Sequence, residues 1–307
     1  MLLNVLFIVV GIALVLWGAD RLTDGAVAVA EKMKMPQIVI GLTIVAMGTS
    51  MPEFCVSLIS ALKGTSDLAI GNIVGSNIFN ALLIVGVSAL VAPMSIMKTT
   101  VRNDIPFALV ASVTLLIMCL DGDISRIDAF ILFALFLVFM YKTLTGVKGQ
   151  ETDVKTDDKK SMATWLSVVW IIVGLVCLIG GSNLFVEGAT IVATKLGVSE
   201  AVIGLTIVAG GTSLPELATS VVSARKGNSG IAIGNALGSN VFNILAILGL
   251  TGVITPMTLK GITLIDLSML VISVILVWLF SFTTYKIERW EGAVLSVVFI
   301  AYIYSLL

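Results

Sequence analysis

Long apolar runs broken by short charged patches fill almost the whole chain, and the breaks predict ten helical spans. They fall at about 2–30, 36–62, 69–92, 104–120, 127–146, 163–194, 200–224, 231–254, 264–283 and 290–306. A helix needs about 20 mainly apolar residues to cross ~30 Å of hydrocarbon, so each run is long enough to be transmembrane. One segment breaks the pattern. Between Gly146 and Met162 the sequence GVKGQETDVKTDDKKSM is charged and lacks apolar periodicity, which predicts a flexible linker. The chain is thereby read as a first unit at 1–146, a hydrophilic linker at 147–162 and a second unit at 163–307.

The two units repeat one another. Residues 41–80, GLTIVAMGTSMPEFCVSLISALKGTSDLAIGNIVGSNIFN, align without a gap on 204–243, GLTIVAGGTSLPELATSVVSARKGNSGIAIGNALGSNVFN, with 26 identities in 40. The same offset of 163 pairs Gly11 with Gly174, Asp24 with Glu187, Gly25 with Gly188 and Pro93 with Pro256. Basic residues set the orientation: loops after spans 1, 3, 5, 7 and 9 hold 13 Lys and Arg, the other loops 4. The positive-inside rule then makes the first set, including the linker, cytoplasmic and puts both termini outside. Five spans per unit is an odd number, so the second unit enters from the opposite side. The expected fold is an all-α membrane protein of ten transmembrane helices, arranged as two inverted-topology five-helix repeats whose matching motifs meet near the midplane.

Composition agrees with the bilayer as solvent: 58% of residues are apolar, 12% are charged and the mean hydropathy is +1.11. A net charge of −1 without a basic cluster points away from nucleic acid, and no obligatory protein partner is evident. Cys55, Cys119 and Cys177 lie in apolar stretches without metal or disulfide spacing and are read as small core residues. The N-terminus lacks the basic lead and cleavage site of a signal peptide and is read as the first span.

The repeat carries chemistry. Glu53 and Glu216 each lie deep in an apolar span, where an ionised side chain costs about 2.5–3.5 kcal/mol or more. A carboxyl group bonded to a neighbouring helix is the plain alternative to a ligand. Recurrence of the Glu within one polar string favours the ligand. In GTSMPE (Gly48 to Glu53) and GTSLPE (Gly211 to Glu216), Pro52 and Pro215 remove a backbone donor, and the adjoining glycines loosen the helix. The carbonyls of Gly48 and Gly211, and nearby those of Ala46 and Ala209, are therefore expected to be freed. With Thr49, Ser50, Thr212 and Ser213 they make an all-oxygen set, although these hydroxyls also suit ordinary helix-to-helix bonding. Hard cations need oxygen: Ca²⁺ takes about 6 to 8 such ligands. Softer metals prefer His or Cys, and the chain has no His.

A second pair of segments, GNIVGSNIFN (Gly71 to Asn80) and GNALGSNVFN (Gly234 to Asn243), puts Asn72, Ser76 and Asn80 on one helix face, and Asn235, Ser239 and Asn243 on another. Each face can add oxygens to a shared cavity, while the glycines serve close packing. Asp20, Asp24 and Glu187, near span ends with Asn183, are read as solvated or helix-capping ahead of ion-binding. Asp121, Gly122 and Asp123 lack EF-hand spacing.

These paired GTSxPE and GSNxFN segments resemble the two signature repeats of the cation/calcium exchanger superfamily, especially its prokaryotic sodium/calcium exchanger-like members. The resemblance implies a secondary active antiporter, not an enzyme, that exchanges Na⁺ for Ca²⁺ by alternating access in a prokaryotic plasma (inner) membrane. It implies Glu53 and Glu216 as principal calcium ligands. Thr49, Ser50, Thr212, Ser213, Ser76, Ser239, Asn80, Asn243 and the carbonyls of Ala46 and Ala209 complete the calcium and sodium sites. No cofactor is implied, since Ca²⁺ and Na⁺ are the transported ions. Potassium-dependent members carry Asp where this chain has Asn243, which argues against potassium dependence. Proton-coupled members carry an extra Glu after the GN of each second segment, where this chain reads GNIVG and GNALG, so sodium is favoured over protons. Calcium/proton antiport is the alternative. A passive channel or an intramembrane hydrolase fits less well, the latter because no nucleophile–base pair is apparent.

Overall fold

The computed structural model describes residues 2–146, 162–197, 209–259 and 261–306. The linker apart from Met162, and the start of the span expected at 200–224, lie outside the described residues. The chain forms α1 (Leu2–Met33), α2 (Gln37–Thr49 and Met51–Leu62), α3 (Ser66–Val91), α4 (Thr100–Asp121), α5 (Arg126–Thr145) and α6 (Thr164–Lys195). There follow α7 (Ala209–Thr212 and Leu214–Arg225), α8 (Ser229–Ile254), α9 (Leu264–Thr284) and α10 (Arg289–Leu306). Among the described residues eight helices are long and apolar enough to cross a membrane, and nine if the two arms of α2, bent by 47°, count as one span.

α1 and α6 lie antiparallel with their backbones almost touching. A Cβ on Gly11 would sit 2.7 Å from the Gly181 carbonyl oxygen, one on Gly18 2.8 Å from that of Gly174, and one on Gly25 2.7 Å from that of Ser167. Numbers rise on one helix as they fall on the other. Hydrocarbon gives two apolar helices little reason to associate, so van der Waals contact between small residues does that work.

α3 and α8 form the centre: 72% and 83% of their most apolar stretches are buried, against 22% and 28% for α1 and α6. Each central helix widens to π geometry midway, at Phe79–Ile84 in α3 and Phe242–Leu248 in α8, two segments whose first residues differ by the repeat offset. α8 also packs tightly on α2, because a Cβ on Gly238 would meet Leu42 Cα at 2.7 Å.

Four two-residue strands tie the ends. β1 (Met94–Ser95) pairs antiparallel with β4 (Lys286–Ile287), and β2 (Asp123–Ile124) with β3 (Met257–Thr258). Met94 faces Ile287 and Ile124 faces Met257, so adding 163 to the first pair's lower number and to Ile124 turns each register into the other.

The expected packing of the cysteines needs one correction. Cys119 is buried and Cys177 partly so, but Cys55 is exposed. It borders a cavity of about 470 Å³ between α2 and α6, lined there by Met51, Pro52 and Val56.

Candidate cation site

Both polar strings break their helix at the serine. Ser50 has φ −82°, ψ 8° and Ser213 has φ −90°, ψ 6°, after which Pro52 and Pro215 sit in the first turn of a new arm. A proline is tolerated there because a first-turn N–H has no helical acceptor in any case. This placement modifies the expectation of freed carbonyls. The Ser50 N–H still donates to the Ala46 carbonyl at 3.0 Å, and Thr49 Oγ1 approaches the same oxygen at 3.3 Å. The Gly211 carbonyl accepts a bond from the Ser182 hydroxyl of α6. The Ala46 carbonyl thus keeps its helical bond, while Pro52 and Pro215 have no N–H to offer the carbonyls of Gly48 and Gly211. Each carbonyl retains a second lone pair. Ala209 opens the described part of α7, and its side chain lies outside the described residues.

The two breaks bring the two glutamates together, each 1% exposed. Their contacts cross over: Ser50 Oγ donates to Glu216 Oε1 at 2.9 Å, and Ser213 Oγ donates to Glu53 Oε1 at 3.1 Å. Ser213 Oγ also lies 3.2 Å from Ser76 Oγ, which draws α3 into the cluster. Thr49 Oγ1 is 3.0 Å from Asn235 Oδ1, which draws in α8. Thr212 borders the cavity between α2 and α6.

What distinguishes this cluster is an excess of acceptors. Among the described residues, Oε2 of Glu53 and Oε2 of Glu216 are buried without a hydrogen-bond donor, as are Oδ1 of Asn80 on α3 and Oδ1 of Asn243 on α8. Buried acceptors are normally paired, and each one left unpaired costs about 1–3 kcal/mol, more when charged. A desolvated cation is the partner such a set suits. Ser239 is buried close in sequence to Asn243, both in the most buried helix. Among the described residues no three His, Cys, Asp or Glu side chains gather; the set relies on amide and hydroxyl oxygens around two carboxylates.

Four residues outside the expected ligand set support it. Asn72 Nδ2 donates to the Glu53 carbonyl at 3.3 Å and to Ser57 Oγ at 3.0 Å. Asn235 Nδ2 makes the corresponding bonds to the Glu216 carbonyl at 3.1 Å and Ser220 Oγ at 2.9 Å. These amides hold the backbone that carries each glutamate. Asn72 and Asn235 were visible in sequence as members of the polar faces. Ser57 and Ser220 were not singled out, although the offset of 163 relates them and they sit one turn beyond the glutamates.

Asp20 and Asp24, with side chains about a third exposed, are ion-paired. Lys226, at the end of α7, lies 2.6 Å from Asp20 Oδ1 and 2.7 Å from Asp24 Oδ1, and Arg21 contacts both aspartates. The pairing joins residues about 200 positions apart in sequence, a proximity no local pattern encodes.

The sequence matches the family described as sodium/calcium exchanger protein over residues 3–145 and 166–307. It is 36% identical to the putative antiporter CaxA of Alkalimonas amylolytica, covering 100% of this chain and 99% of that protein. It is 30% identical to the sodium/calcium exchanger MaX1 of Methanosarcina acetivorans, covering 98% and 97%. A solved structure of the sodium-calcium exchanger NCX_Mj, soaked with 2.5 mM Na⁺ and 0.1 mM Ca²⁺, superimposes with a TM-score of 0.88 at 32% identity, covering 100% of this chain and 99% of that one.

Proposed function

Since the chain belongs to the sodium/calcium exchanger family, whose fold is that of membrane transporters, we propose that it exchanges Na⁺ for Ca²⁺ by alternating access. The carrying observation is the crossed pair of glutamates, each with one oxygen bonded to the other half's serine and one oxygen without a donor among the described residues. Glu53 and Glu216 are the calcium ligands in this reading. Thr49, Ser50, Thr212, Ser213, Ser76, Ser239, Asn80, Asn243 and the carbonyls of Ala46 and Ala209 complete the calcium and sodium positions.

Charge supplies the mechanism. Two carboxylates neutralise one Ca²⁺, so the loaded site crosses hydrocarbon without a large Born penalty. Sodium ions at the same oxygens offset the charge in the return step. An empty site holding two negative charges resists that step, and exchange results in place of leak. More than two Na⁺ per Ca²⁺ would move net charge and make the cycle sensitive to membrane potential.

The architecture proposed with this function is two inverted five-helix units, 1–146 and 163–307, joined by a cytoplasmic linker at 147–162, with both termini outside. Antiparallel contact of α1 with α6 supports inversion, because these helices open the two units. The strand registers support it too: each ribbon takes one strand from each unit, and the offset of 163 converts one ribbon into the other.

The test uses sodium-loaded vesicles containing the protein, diluted into sodium-free buffer with labelled calcium. Uptake is expected from the wild type and not from Glu53→Gln or Glu216→Gln. Unchanged uptake in both variants would sink the site assignment. Calcium uptake driven by a pH gradient without sodium would make the proton the counter-ion.

A further inference from the structure

A carboxamide offers a cation opposite faces: its oxygen is a ligand, while its NH₂ carries only donors. For Asn243, 0% exposed in the centre of the protein, the end that faces the proposed cation site depends on what holds the other end. That anchor is Asn77 on α3, whose Oδ1 accepts the Asn243 Nδ2–H at 3.2 Å. The backbone carbonyl of Asn77 accepts a second bond from α8, from Asn240 Nδ2 at 3.2 Å. One residue of α3 is thus gripped at two points by the π segment of α8 and the turn before it. Among the described residues, Oδ1 of Asn243 is left without a donor.

We propose that Asn77, absent from the ligand set above, is a positioning residue that turns the Asn243 carboxamide oxygen toward the bound cation. The inference rests on the exchanger reading. A purely structural role fits poorly, because Asn77 is 0% exposed and its own Nδ2 has no partner among the described residues. A residue retained for packing alone would do better as an apolar side chain, which leaves no donor unpaired. Water cannot easily replace the Asn77 oxygen, since Asn77, Asn240 and Asn243 are all 0–1% exposed.

The experiment compares wild type, Asn77→Leu, Asn243→Asp and the double variant in sodium-driven calcium uptake, recording the half-saturating calcium concentration and the maximal rate. Asn77→Leu lets the amide turn either end to the site, so half-saturation should rise roughly tenfold with the maximal rate largely kept. A carboxylate has oxygen at both ends. Asn77→Leu should therefore raise half-saturation by clearly less when Asn243→Asp is already present. An equal loss in that background would show a structural role and overturn the proposal, as would an Asn77→Leu protein indistinguishable from wild type. If Asn77→Leu does not fold, as judged by size-exclusion profile, Asn77→Ala serves with the same expected outcomes. An Asn243→Asp protein that no longer responds to calcium would overturn Asn243 as an oxygen donor and the inference with it. Failure of the exchanger reading itself is seen separately, as wild type without cation-dependent uptake.

Discussion

The end of α1 and the corresponding end of α6 descend from one repeated sequence, yet they meet different surroundings. On α1, Asp20 and Asp24 are tied by Arg21 and by Lys226, Thr23 Oγ1 lies 2.9 Å from Ser223 Oγ, and Arg21 stacks over Trp170 at 5.2 Å. On α6 the counterparts are Asn183, Leu184, Val186 and Glu187; among the described residues Glu187 has no ion pair, and it borders the cavity of about 470 Å³ that extends to Gly211 and Thr212. Beside α1 the matching crossing holds a smaller cavity of about 290 Å³, lined by apolar residues such as Ile12, Leu16 and Ala218. The centre is nearly symmetric and the flanks are not. Under the proposed exchange cycle, a carrier that opens to one side at a time would pair one central site with flanks that differ in this way.

The comparison can be broken hardest at its symmetric centre. Removing either glutamate's charge should weaken calcium binding on the order of a hundredfold or more, since breaking a buried, hydrogen-bonded charge contact costs about 2–5 kcal/mol. Glu53→Gln and Glu216→Gln should suffer similarly in calcium-dependent thermal stabilisation of the purified protein. A large inequality would show that the two halves contribute unequally. Next in size is the helix seam. Gly18→Val and Gly181→Val, related by the repeat, each force a side chain against backbone and should destabilise by roughly 1–3 kcal/mol, read as a lower melting temperature in detergent.

The flanks give smaller effects. Cys55 and position 218 are related by the repeat; the first is exposed, the second 8% exposed. In a chain whose other cysteines are replaced, a charged thiol reagent should label Cys55 readily and Ala218→Cys slowly. Lys226→Met removes two partly exposed ion pairs, each worth about 0.2–1 kcal/mol, and should raise labelling of Ala218→Cys severalfold while lowering that of Cys55. The counterpart change, Lys63→Met, removes no ion pair among the described residues and should shift either rate less than about twofold.

Much of this was legible in sequence because it is local or repeated. The apolar runs, the GTSxPE breaks and the paired glutamates follow from composition and spacing. That the helix breaks at Ser50 and starts a new arm was not legible, because whether a proline loosens a helix or starts a new one depends on the packing around it. The Lys226 ion pairs, the Asn243-to-Asn77 bond and the strand registers join distant residues, which periodicity cannot see. The π segments at Phe79 and Phe242 left no compositional trace, although their repetition at matched positions marks them in hindsight.

The strand ribbons bear on how such a chain could have arisen and how it is made. Neither unit can close a ribbon alone, since β1 waits for β4 and β2 for β3. During synthesis the first half therefore leaves the ribosome with both its short edges unpaired until the second half is complete. An unduplicated ancestor could have satisfied the same edges by joining a copy of itself inserted upside down, β1 of one against β2 of the other, in an isologous dimer. Gene fusion would then have converted a search between two molecules into a single folding event.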